Sequence, residues 1–335
     1  MSQRVSKEEL RQRAAAWLEA GKMVAGPVRV KAGTVLYAPL PKAESLLLEG
    51  WVRPANSIKE FVFPRHEVLY SYRVDAAGIT LQEPEPAPRE QVIVGAHPCD
   101  AAALPLLDKL FNWDYPDDFY NRRRAATAVV TLACAAHDEE CFCTSVGLGP
   151  AAERGSDVML SDAGDGAYEV RCLTEKGAAL WGAGVAPAPA EGGMGAAGPE
   201  PRFNPAEVAA FVREHFEDPF WRERALPCLG CGACAYTCPA CHCFDIVDEG
   251  NARGGVRARN WDACQFPLFT AHASGHNPRP AQGARQRQRI YHKFLMFPGK
   301  FGEVLCTGCG NCARNCPAGL GVLPVVSEIC HAESV

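Results

Sequence analysis

The sequence is short of the usual signatures of enzymes that carry their own cofactor. It has no G-x-G-x-x-G following a strand-like run, no P-loop and no G-x-S-x-G elbow. Those absences remove the common signs of dinucleotide, triphosphate and acyl-ester chemistry. No apolar run approaches the roughly 18 residues that a membrane-crossing helix needs. No secretory leader is expected either, because Ser6-Lys7-Glu8-Glu9 is charged and reads as a helix start. Positive charge is not in excess: the net charge is −5, which argues against nucleic acid as the main partner. What the chain has in plenty is cysteine, 17 in 335 residues. An odd count with metal-like spacing argues against a disulfide framework and for a reducing, cytoplasmic setting away from oxygen.

Eight of those cysteines fall in two copies of one pattern. Cys228 to Pro239 reads CLGCGACAYTCP and Cys306 to Pro317 reads CTGCGNCARNCP, both matching C-x2-C-x2-C-x3-C-P. This is the spacing that holds clusters in two-cluster ferredoxins, where the fourth cysteine of each run serves the other cluster. It predicts one [4Fe-4S] cluster on Cys228, Cys231, Cys234 and Cys316, and a second on Cys306, Cys309, Cys312 and Cys238. Zinc modules separate two C-x2-C pairs by about 12–20 residues, unlike four cysteines crowded into one short run.

Elsewhere the chain reads as α/β. Residues 6–20 predict an amphipathic helix opened by a Ser6–Glu9 capping box, with Leu10, Ala14, Trp17 and Leu18 on one face. Residues 28–37, 67–81 and 157–172 predict hairpins, and 83–89 a loop. QVIVG at 91–95 and ATAVVTLA at 126–133 predict buried parallel strands, with a helix carrying Leu104, Leu107 and Phe111 between them. The Ala/Gly/Pro-rich residues 182–201 read as a linker, and Asn204-Pro205-Ala206-Glu207 as the capped start of the next helix. The expected organisation is α+β. An N-terminal α/β domain (1–181) is followed by a linker (182–203) and an α-helical ferredoxin-like domain with two [4Fe-4S] clusters (204–335).

Three further groups stand out. Cys99 and Cys134 each follow a predicted parallel strand, at the sheet edge where ligands bind in open α/β folds. With Cys141 and Cys143 they form either a third cluster site or a set of buried thiols. His97, two residues before Cys99, fits a ligand loop better than a cysteine nucleophile. Cys241, His242, Cys243 and Cys264, with His272, His276 and His292 nearby in sequence, read as a zinc or iron site or as packing beside the first cluster. Arg279, Arg285, Arg287, Arg289 and Lys293 are an uninterrupted basic stretch, expected as a docking face or a solvated one. Cys172 and Cys330 stand alone and read as structural.

Long motifs then bring a resemblance: HPCDAAAL at 97–104, CFCTSVGLGP at 141–150, CPACHCFDIVDE at 238–249, RARNWDAC at 257–264, ASGHNPRP at 273–280 and RQRIYHKF at 287–294. With the two cluster runs, in this order, the chain resembles the beta subunit of cytoplasmic sulfhydrogenases and the A subunit of anaerobic sulfite reductase. The likeness covers nearly the whole length, although the linker at 182–201 is longer than in that family. It implies an iron–sulfur subunit that relays electrons between a partner subunit carrying FAD and NAD(P) and a catalytic subunit of hydrogenase, sulfur or sulfite reductase type. The eight ferredoxin-type cysteines are the ligands it implies. Two readings from other classes stand beside it: a catalytic reductase working at the additional cysteines, and a structural metal-binding scaffold.

Overall fold

The computed structural model describes residues 3–83, 88–185 and 197–332. Its strands are β1 (Gln3–Ser6), β2 (Met23–Arg29), β3 (Val35–Pro39), β4 (His66–Asp75), β5 (Gly78–Gln82), β6 (Gln91–Ala96), β7 (Thr127–Leu132), β8 (Val158–Asp162), β9 (Ala167–Cys172), β10 (Phe244–Asn251) and β11 (Gly254–Trp261). They form two sheets, ordered β1-β9-β8-β7-β6-β2-β3 and β10-β11-β4-β5. In the larger sheet β2, β6, β7 and β8 run parallel, and antiparallel strands finish both edges. The protein is thus a mixed α and β structure.

The expected parallel pair is present, with Gln91 opposite Thr127 and Ile93 opposite Val129. Every residue of β6 is buried because both faces of the sheet are covered. Val92 and Val94 face one layer, with Leu10, Ala14 and Trp17 of the helix Lys7–Glu19. Ile93 faces the other, with Leu104, Leu107 and Phe111 of the helix Leu104–Phe111. The Ser6 cap is reciprocal: its side chain accepts from the Glu9 amide, and the Glu9 carboxylate accepts from the Ser6 amide. The three predicted hairpins are found as β2–β3, β4–β5 and β8–β9. Asp165, at the tip of the last, has φ +52°, a left-handed turn position. Asn204 caps the helix Pro205–Glu214 by accepting from the Ala206 amide.

The cysteine-rich stretch is not wholly helical. β10 and β11 form a hairpin there, and β11 pairs with β4, so strands from residues 66–82 and 244–261 share one sheet. All of β10 but one residue is exposed, so no buried stripe marks it in the sequence. The expected loop at 83–89 lies partly, and the linker at 182–201 mostly, outside the described residues. Among the described residues no helix is long and apolar enough to cross a membrane.

The four-stranded sheet is fastened by buried charge. Arg259 on β11 sits opposite Glu67 on β4, and the two form an ion pair with side chains only 4% and 1% exposed. Arg123 also pairs with Glu67, and Asp117 with Arg259. Removing Arg259 leaves Glu67 with Arg123 alone and takes away the arginine that pairs with Asp117, and breaking a buried pair costs up to about 3–5 kcal/mol. Arg259→Ala should therefore lower the urea unfolding midpoint of the anaerobic protein sharply. An unchanged midpoint would show that this network does not join the strands.

Candidate iron–sulfur centres

The two cysteine runs fold alike. Gly230 and Gly308 both have φ +65°, and Gly232 and Gly310 have +74° and +73°. These left-handed positions bend each run into a tight loop, and a one-turn helix follows, Ala233–Tyr236 in the first and Asn311–Arg314 in the second. At Gly308 a side chain is also ruled out by crowding: a Cβ would lie 2.4 Å from backbone atoms of Cys143.

The fourth cysteine of each run turns toward the other run. Cys316 lines the same pocket as Cys228, Cys231 and Cys234. Cys238 lies among the electrostatic neighbours of Cys306 and Cys309. The sulfurs are met by donors. The amides of Leu320 and Val322 donate to Cys316 and Cys312 at 3.2 and 3.3 Å, and Gln282 Nε2 donates to Cys228 at 3.2 Å. Lys293 Nζ donates to Cys238 at 3.4 Å. Such donors favour thiolate over thiol and tune cluster potential. Without metal, burial pushes Cys234 and Cys306 up to about 11, so their thiols hold their protons at neutral pH. Metal binding must release those protons.

Cys99, Cys134, Cys141 and Cys143 come together at the C-terminal edge of β6 and β7. Cys134 has Cys141 and Cys143 among its electrostatic neighbours, and Cys99 has Cys134 and Cys143. Burial raises Cys134 to about 12, with Arg53 pulling the other way. Cationic donors reach two of these sulfurs: Arg53 Nη1 to Cys99 at 2.7 Å and Arg314 Nη2 to Cys141 at 3.2 Å. His97 Nδ1 lies 3.1 Å from Cys134 Sγ, and its ring meets Trp51 edge-on. Burial, helped by Arg53, lowers the basicity of His97 and keeps it neutral. This group abuts the second run, since the Phe142 amide donates to the Gly308 carbonyl at 2.9 Å.

Two basic residues that no motif flags, Arg53 and Lys59, prove central. Arg53 Nη2 pairs with buried Asp100 at 2.7 Å while Nε donates to Asn311 Oδ1 of the second run at 2.7 Å. Lys59 is buried and donates to the carbonyls of Ala235 and Cys241 at 3.1 and 2.9 Å. Nothing in the composition of WVRPANSIKE separates them from surface residues.

The basic stretch is not a docking face. Arg285, Arg289 and Lys293 are only 7%, 3% and 2% exposed. Arg287 lies over the Phe216 ring and donates to the Phe216 carbonyl. The reason is helical period: residues 285, 289 and 293 fall four apart, on the inward stripe of the helix Gln282–Tyr291 and the π-helical turn His292–Met296. Cys241, His242, Cys243, Cys264 and His292 line one cavity of about 290 Å³, whereas His272 and His276 are exposed and pack on each other. Cys172 is buried in β9 among the apolar core and apart from these groups.

Among the described residues, no three His, Cys, Asp or Glu side chains close on the position of a single metal ion. A four-iron core holds its thiolates farther apart than one ion does, so the shared neighbours and cationic surroundings above are the relevant test of fit. The groups meet it: thiols lie in sets with cations between them, and of those cations Arg53 and Arg314 pair with Asp100 and Asp138, while Lys59, Arg289 and Lys293 have no carboxylate partner among the described residues.

Comparison with known proteins agrees with this geometry. A family model described as a 4Fe-4S dicluster domain matches residues 227–320, which include all eight cysteines of the two runs. The chain is 32% identical over 250 residues to sulfhydrogenase 2 subunit beta of Pyrococcus furiosus, covering 71% of this chain and 73% of that protein. No solved structure matches.

The exchanged fourth cysteines give a direct check. Cys316→Ser should alter the EPR signal of the cluster on Cys228, Cys231 and Cys234, and Cys309→Ser the signal of the other. If both substitutions perturb one and the same signal, the exchange is wrong.

Proposed function

The chain belongs to the family of sulfhydrogenase beta subunits, and we propose that it is the one-electron relay of a multi-subunit oxidoreductase. The observation that carries this reading is the pair of C-x2-C-x2-C-x3-C-P loops, folded alike and reaching into each other. Each run would hold a [4Fe-4S] cluster in a ferredoxin-like arrangement, with the ligands Cys228, Cys231, Cys234 and Cys316, and Cys306, Cys309, Cys312 and Cys238. Such clusters supply single-electron storage at a potential set by burial and by hydrogen bonds to sulfur. The chain's own contribution is to position the thiolates, bury those of Cys238, Cys306, Cys309 and Cys312, and place fixed cations beside them. Cys231 is exposed, with Leu226 and Leu229 exposed beside it in sequence, so the first run offers an accessible approach for a partner.

The partners in this reading are a subunit that binds FAD and NAD(P) and a catalytic subunit of hydrogenase, sulfur or sulfite reductase type, in the cytoplasm. The absence of nucleotide-binding motifs supports placing the flavin and nicotinamide elsewhere. The isolated anaerobic chain should therefore stay oxidised when NADH or NADPH is added alone, and bleach once a flavoprotein reductase is supplied. Rapid bleaching by the nucleotide alone would contradict the assignment.

A third [4Fe-4S] cluster on Cys99, Cys134, Cys141 and Cys143 belongs to the same proposal. It is supported by four thiols at one sheet edge, two of them accepting from arginine, and by their contact with the second run. It would give the N-terminal sheet a place on the electron path. Replacing Cys141 and Cys143 together by Ser should remove about four irons per chain. An iron content that does not change on this double substitution would leave these thiols as packing alone.

A further inference from the structure

The cavity beside the first cysteine run is not used by any of these centres. Three thiols line it, Cys241 and Cys243 from the turn after the run and Cys264 from the segment after β11. They lie close together: the Asp262 amide donates to the Cys243 carbonyl at 2.9 Å, which sets Cys243 beside the segment carrying Cys264, and the Cys243 thiol interacts with those of Cys264 and Cys241. His242 and His292 complete part of the wall, their rings edge-to-face at 5.3 Å. His292 opens the π-helical turn His292–Met296, an irregularity that occurs often at functional sites.

The charge around the cavity is the second observation. Arg289 lines it and is 3% exposed. Its Nη1 donates to the Leu320 carbonyl at 3.0 Å, while Nε and Nη2 have no hydrogen-bond partner among the described residues. The thiols of Cys234, Cys312, Cys241 and Cys264 surround it, and it forms no ion pair with a carboxylate among the described residues. Lys293, on the same wall, and Lys59, behind Cys241, are also buried. Three buried cations around one set of thiols favour an anionic occupant, because a buried charge is stable only beside a counter-charge.

We propose that Cys241, Cys243 and Cys264 hold a further iron–sulfur cluster, bound by three cysteines, in this cavity. A single zinc ion fits less well, since no three such side chains close on one ion position among the described residues. No fourth cysteine lines the cavity, so one iron takes a ligand other than cysteine, on a wall that carries His242 and His292. Cys238, given to the second ferredoxin-type cluster, lies beside Cys241 and interacts with it, so the new site abuts that cluster. The relay then branches: Arg289 stands between the thiols of both runs and those of this cavity. The inference rests on the reading of the chain as an iron–sulfur protein, and its test is separable from that reading.

The test uses the full chain, reconstituted anaerobically with ferrous iron and sulfide and analysed for iron, sulfide and zinc. Cys264→Ser should lose about four irons and four sulfides per chain relative to wild type, with the signals of the ferredoxin-type clusters retained. Unchanged iron, or the loss of one zinc instead of iron, overturns the proposal. Should Cys264→Ser fail to fold, the Cys141→Ser/Cys143→Ser chain answers the same question. It should hold about twelve irons if this site is loaded and about eight if only the two cysteine runs are. Equal iron in that variant and wild type would count against the sheet-edge cluster alone, and an iron content untouched by Cys309→Ser would count against the relay reading itself.

Discussion

Arg53 is the contact on which the arrangement of centres depends. Its side chain is 4% exposed, and its donors point three ways: to Cys99 Sγ, to the Asp100 carboxylate and to Asn311 Oδ1. Cys99 and Asp100 belong to the turn after β6, and Asn311 to the second cysteine run, so one guanidinium fixes the sheet edge against the ferredoxin-type loops. The planar fork suits this task because its donors are rigid and its charge is permanent. Asp100 is itself held by the Tyr37 hydroxyl, which accepts from the His97 amide, so the anchor reaches back into the core of the sheet. Asn311 Nδ2 closes the junction by donating to the Asn56 carbonyl.

The same logic recurs through the interior. Arg53, Lys59, Arg289 and Lys293 are all buried, and thiols are prominent among the neighbours of each. In the metal-free chain this is a poor arrangement: burial keeps most of the thiols protonated, and the cations face them without full compensation. Anionic clusters bound to these thiols would supply the missing charge. Cluster insertion and the final packing of this region would then be coupled, as in other proteins whose metal sites do not exist in the unfolded chain. The cations also favour the reduced, more negative state of a nearby cluster, which raises its potential above that of the same cluster in an uncharged pocket.

Much of this was legible in the sequence, for identifiable reasons. The cysteine runs carry their geometry in their spacing, and β6 and β7 read as parallel strands because residues 91–95 and 126–133 are short, mostly apolar runs with no charge. The capping box at Ser6 is local and needed no tertiary information. The basic stretch misled because a count of charges has no direction, whereas the helical repeat puts 285, 289 and 293 inside. β10 and β11 escaped notice because β10 is almost wholly exposed and β11 finds its partner nearly two hundred residues earlier in the chain, at β4. Arg53 and Lys59 were invisible for a related reason. Their importance comes only from what folds against them, Cys99 and Asn311 in one case and Ala235 and Cys241 in the other.

The central claim is that the centres form one continuous electron path. Its most direct measurement is EPR of the fully reduced, reconstituted chain across a range of temperatures and microwave powers. Neighbouring paramagnetic clusters relax one another, so the account predicts broadened, spin-coupled spectra that resolve into simple signals when only one cluster per chain is reduced. A fully reduced spectrum equal to the sum of isolated, uncoupled signals would contradict it.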